Sequence, residues 1–111
     1  MAETTQLSTL PEIEFLGSEE EQRLAQRVFA LLRATARFYP LNAPIRVPLA
    51  VLAEHFSTVD PAVSSAEWEE RLQKAIAANA HVFALETEEG KVLVATTRAG
   101  KPPLPPEALI D

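Results

Sequence analysis

The chain has 111 residues, room for one domain rather than two. Apolar residues make up 47% of it, which permits a real core and excludes wholesale disorder, and the absence of cysteine removes disulfides, thiol catalysis and cysteine-ligated metals together. A net charge of −6 weighs against general affinity for nucleic acid, where phosphate contact is the main driving force.

That charge is unevenly placed. Residues 1–21 hold six glutamates and no base, whereas residues 22–60 hold Arg23, Arg27, Arg33, Arg37 and Arg46 against Glu54 and Asp60. No basic stretch leads into an apolar run as in a secretory leader, and no run approaches the roughly eighteen apolar residues of a membrane span. The expectation is a cytoplasmic protein without membrane contact.

Residues 1–17 read as an arm. In "PEIEFLG", Ile13 and Phe15 alternate with Glu12 and Glu14, the pattern of a short edge strand. The first helix opens at Ser18, because Ser18 and Glu21 have capping-box spacing, and it is predicted to run to Phe38 or Tyr39, just before Pro40. Leu24, Val28, Leu31, Leu32, Thr35 and Phe38 recur at helical spacing as its core face. Ala25, Phe29 and Ala36 widen that face beyond what a simple surface helix buries, so either the arm or a second subunit must cover Phe29.

The prolines of "YPLNAPIRVP" forbid further helix, and residues 45–47 are predicted as a very short strand. Pro48 fits the first position of a second helix, whose core face is Leu49, Leu52 and Phe56. After a turn, Ser64 and Glu67 form another capping-box pair. They open a third helix over 65–79 with Trp68, Leu72, Ala75, Ile76 and Asn79 inward. Its outward face is Glu70, Gln73, Lys74 and Ala77. Residues 82–86 and 91–96 are predicted strands joined by "TEEG", with Gly90 supplying a positive φ. Whether Phe83 and Leu85 share a face with Val92 and Val94, or with Leu93 and Ala95, depends on the turn type. Residues 99–111, with "PPLPP", read as an extended proline-rich tail or linker.

This order, helix, strand, helix, helix and a two-stranded hairpin, resembles the winged helix, an α+β fold of three helices, a short strand and a C-terminal hairpin. The resemblance covers residues 18–98. Within that superfamily "LQKAIAANAHVFALETEEGKVLVATTR" is similar to the small winged helices of the bacterial RNA polymerase delta subunit and related domains. It departs from them in having Val92, Leu93 and Val94 where they usually place a tryptophan.

The resemblance implies a binding domain, and its most widespread mode is duplex recognition with the third helix in the major groove and the hairpin as a wing on the backbone. The residues argue against that use. Glu67, Glu69 and Glu70 lie beside Gln73 and Lys74 on the helix, and the hairpin tip carries Glu88 and Glu89, with Glu86 just behind, against Lys91 alone. At 100° per residue, Arg23, Arg27, Arg33 and Arg37 fall within about 120° of one another, opposite the core. That stripe is either a solvated face or a dock for an acidic segment or a phosphate backbone. His55 and His81 lack the pattern of ligands a metal needs, and no glycine-rich phosphate loop is present. No cofactor, small-molecule substrate or catalytic group is indicated. The expectation is a non-catalytic binding module acting through a protein partner or self-association. The alternative is a DNA-binding regulator using residues 65–79 and the arginine stripe.

Overall fold

The computed structural model describes residues 13–40 and 43–103. The first twelve residues of the arm, Glu12 among them, and the proline-rich tail from residue 104 onward lie outside the described residues.

Helix α1 (Glu19–Ala34) starts on a complete capping box: Ser18 Oγ accepts the Glu21 N–H at 3.1 Å, and Glu21 Oε1 accepts the Ser18 N–H at 2.9 Å. Glu19, Glu20 and Glu21 stand at the positive end of the helix dipole. Leu24, Ala25, Val28, Phe29 and Leu32 are buried. The helix stops one turn earlier than its apolar periodicity predicts. The Thr35 hydroxyl donates to the Leu32 carbonyl at 2.8 Å, and the chain tightens into a 3₁₀ turn, Ala36–Phe38. Tyr39, preceding proline, is extended at φ −119°, and the Arg98 guanidinium donates to the carbonyls of Ala36, Tyr39 and Pro40. The expectation that Phe38 joins the core is therefore corrected: the tighter turn swings it out to 74% exposure.

Strand β1 (Ile45–Pro48) leads directly into α2 (Leu49–Val59), which buries Leu49, Leu52, Ala53 and Phe56. Pro48 is the cap of that helix rather than its first residue, since its ψ of 138° is still extended. Helix α3 (Ser65–Ala77) is capped by Ser64 Oγ, which accepts the Glu67 N–H at 3.2 Å. The expected return bond is replaced, because the Glu67 carboxylate accepts from Arg71 at 2.7 Å instead. Trp68, Leu72, Ala75 and Ile76 are buried as the spacing implies.

Two boundaries around residue 80 move. The helix ends before Asn79, whose carbonyl takes the N–H groups of Val82 and Phe83 at 2.9 and 3.1 Å. Those two apolar residues thus belong to a turn, and β2 (Ala84–Glu88) begins two residues later than predicted. Strand β3 (Lys91–Thr96) completes an antiparallel sheet of order β1-β3-β2.

The hairpin turn is a two-residue loop with Glu89 at φ 52° and Gly90 at φ 78°, the type I′ geometry whose twist matches paired strands. Leu85 pairs with Val94 and Thr87 with Val92, which answers the register question: Leu85 shares its face with Val92 and Val94. Val92 and Val94 of that face, with Ile45 and Val47 from β1, pack on the helices, whereas Leu85 at the sheet edge is 42% exposed. On the other face Arg46 Nε donates to Glu86 Oε1 at 2.6 Å, and the pair spans the buried Leu93 and Ala95 of the central strand.

The arm is not a strand where it is described. Residues 13–17 lie across α1 and the end of α3, with Ile13 and Phe15 packed on the core. The Phe15 and Phe83 rings each lie 6.4 Å from the Phe29 ring. The arm, not a second subunit, therefore covers Phe29. Its clasp is Asn79, whose Oδ1 accepts the Leu16 N–H at 2.6 Å and whose Nδ2 donates to the carbonyls of Leu16 and Ala75 at 3.0 and 2.8 Å. No helix among the described residues is long and apolar enough to cross a membrane.

Candidate functional site

The outward face of α3 is where the sequence places it. Glu70, Gln73, Lys74 and Ala77 are all exposed. The three glutamates of the first turns do not act as one cluster, however. Glu67 and Glu70 turn toward α1, lining a crevice with Glu20, Glu21, Arg71 and Lys74. There Arg71 bridges two carboxylates, Glu67 at 2.7 Å and Glu20 at 3.3 Å. Glu69 turns the opposite way, toward the hairpin.

At the hairpin tip Glu88, Glu89 and Lys91 are exposed, and Glu88 sits across from Lys91 in the register. Glu86 is drawn off by Arg46, so the acid of the tip reduces to Glu88 and Glu89. The same pairing removes Arg46 from the free basic residues of its segment.

The four arginines do not form one stripe. Arg23 pairs with Glu19 at 3.7 Å and borders a cleft edged by Glu14 and Glu19. Arg27 lies over the Phe56 ring, 4.5 Å from its centroid, against α2. Arg33 is in the last turn of α1, and Arg37 lies beyond the helix in the 3₁₀ turn, 4.9 Å over the Phe38 ring. The 100° spacing does not extend to Arg37 because the helix does not.

Two surfaces were not among the sites expected from the sequence. Val51 and Val59, eight residues apart on α2, are 54% and 60% exposed with His55 between them. Beside Val51 is a cleft of about 390 Å³, lined by Pro48, Leu49 and Val92 with Glu69 and Lys91 at its polar side. The other surface is Phe38 with its neighbouring cations. Phe38 depends on where α1 ends, which periodicity does not report, whereas Val51, His55 and Val59 lie at helical spacing off the buried face of Leu49, Leu52 and Phe56.

The histidines have local partners. His81 Nε2–H donates to the Glu14 carbonyl at 2.6 Å, a further tie on the arm, and His55 stacks edge-on against Phe56. Among the described residues no three potential metal ligands converge. Compared with known proteins, the chain matches no family model, no curated protein and no solved structure.

Proposed function

We propose that this chain is a winged-helix module without catalysis of its own, acting through contact with a protein partner or a second copy of itself. Support for the fold reading comes from the element order α1-β1-α2-α3-β2-β3 together with β3 lying between β1 and β2, so that a hairpin wing flanks three helices. The observation that carries the functional reading is the sign of the charge on the two surfaces a DNA-reading member would press against phosphate. Glu70 on α3 and Glu88 and Glu89 on the wing are exposed there, and repulsion at both places opposes duplex docking.

An apolar alternative lies on the neighbouring face, where exposed Val51 and Val59 adjoin the cleft between α2 and the wing. Burying such side chains in a partner is favourable by about 25 cal/mol per Å² of apolar surface removed from water, and added salt does not screen it as it screens phosphate contacts. Sedimentation over a range of protein concentrations tests self-association, with Val51→Glu as the disrupting variant. A labelled duplex titrated at low salt tests the alternative. A monomer throughout, combined with duplex binding lost in Gln73→Ala and Lys74→Ala, would replace this reading with DNA recognition by α3.

A further inference from the structure

Among the described residues, the charged side chains that the end of α1, the 3₁₀ turn and the turn after β3 bring to one corner are all basic. Arg33 lies in the last turn of the helix and Arg37 in the 3₁₀ turn, while Arg98 reaches across from the end of the sheet to the carbonyls of Ala36, Tyr39 and Pro40. Lys101 belongs to the turn that holds Arg98, its carbonyl taking the Thr97 N–H at 3.0 Å. Neither contributing stretch, residues 22–53 or 90–106, contains an acid. Among the described residues no carboxylate pairs with Arg33, Arg37 or Lys101.

At this corner stands Phe38, 74% exposed, with the Arg37 guanidinium carbon over its ring, 4.9 Å from the centroid. So exposed a side chain adds little to folding. With the guanidinium over one face of so exposed a ring, the other face offers the kind of aromatic surface on which an unpaired base stacks, while flanking cations take the phosphates. Bases inside a duplex are already stacked on both faces and cannot use it.

The overall negative charge does not cancel this field. Along β3 the wing tip is separated from the Thr96 end by about 17 Å, taking roughly 3.3 Å per residue. At physiological ionic strength the screening length is about 8 Å, so Glu88 and Glu89 act on the corner only weakly. The carbonyl end of α1 opposes an anion with about half a charge. Thr35 and Arg98 already occupy carbonyls there, and the surrounding side chains carry full charges.

We propose that this corner binds a single strand of DNA or RNA, one base stacking on Phe38 and the phosphates lying along Arg33, Arg37 and Lys101. This goes beyond the protein-contact reading and uses a different surface. The test is fluorescence anisotropy of labelled oligo(dT), oligo(rU) and a duplex, titrated with the full chain at low and physiological salt. Both single strands are expected to bind more tightly than the duplex. Three phosphate contacts give a log–log salt slope of about −2. Phe38→Ala is expected to weaken binding about tenfold, the loss of one stacked base, with an unchanged melting temperature. Phe38→Trp is expected to retain binding, and Arg37→Glu to abolish most of it. Absence of binding at low salt, equal affinity for the duplex, or indifference to Phe38→Ala would each overturn the assignment. A polyglutamate peptide that binds with the same dependence on Phe38 would give the corner to an acidic protein segment instead. The sedimentation experiment with Val51→Glu is independent of all these outcomes.

Discussion

Asn79→Ala is the change with the most to reveal about how the domain is closed. The Asn79 side chain is fully buried and makes three hydrogen bonds, two of them to the backbone of Leu16, sixty-three residues earlier in the chain. Each such bond contributes about 1 kcal/mol net, and a donor or acceptor left unmet inside costs about 1–3 kcal/mol. Truncation would leave the Leu16 N–H and C=O and the Ala75 C=O without this partner. The loss is limited by a second route, in which the arm lifts and water satisfies Leu16, at the expense of the Ile13 and Phe15 contacts. The expected destabilisation is therefore about 2–3 kcal/mol, a fall in melting temperature of roughly 10–15 °C for a domain of this size. Urea denaturation followed by circular dichroism gives the first figure. Hydrogen exchange at Leu16 separates the routes, because lifting the arm speeds exchange there without speeding it in α3. Wild-type stability with undisturbed Leu16 exchange would refute the clasp.

Three further outcomes are expected. Trp68→Ala should cost about 3–5 kcal/mol by leaving a cavity against Phe56, whereas Trp68→Phe should cost much less than its lost volume suggests. The Trp68 Nε1–H is buried without a hydrogen-bond partner among the described residues, so phenylalanine forfeits no bond; equal losses in the two variants by urea denaturation would contradict this. Glu89→Asn should stabilise by about 0.5–1 kcal/mol, since residue 89 holds φ 52° and asparagine tolerates that region better, and an unchanged or lowered melting temperature would argue against the type I′ turn. Arg98→Ala, which strips donors from three carbonyls, should destabilise by about 2–3 kcal/mol, and Arg98→Lys should recover only a small part because an ammonium lacks the planar fork.

What could be read from the sequence follows the range of the forces involved. The start of α1 was legible because a capping box is local, confined to Ser18 and Glu21. Its end was not, since the periodicity of Leu24, Val28, Leu32, Thr35 and Phe38 continues smoothly through the break. The break is held in part by Arg98, which contacts Ala36 from sixty-two positions away. Val82 and Phe83 have strand-like side chains, yet the Asn79 carbonyl takes both of their N–H groups for a turn. The candidate site divides in the same way. Exposure of Glu70, Gln73, Lys74 and Ala77 followed from helical spacing, and exposure of Glu88 and Glu89 from the hairpin. The arginine stripe required a straight helix through Arg37, and Phe38 became a surface residue only because that helix stops.

The meeting of the arm with the turn after β3 beside Phe29 has a consequence for how the domain can be carried. A side chain at Gly100 would collide with Ile13, and its Cβ would lie 3.3 Å from the Phe29 ring, so the first and last parts of the fold are in direct contact. Residue 13, where the described chain starts, and residue 100, three short of its described end, therefore lie at one spot. Such a domain can be set into a surface loop of a host protein without spreading the two sides of that loop apart.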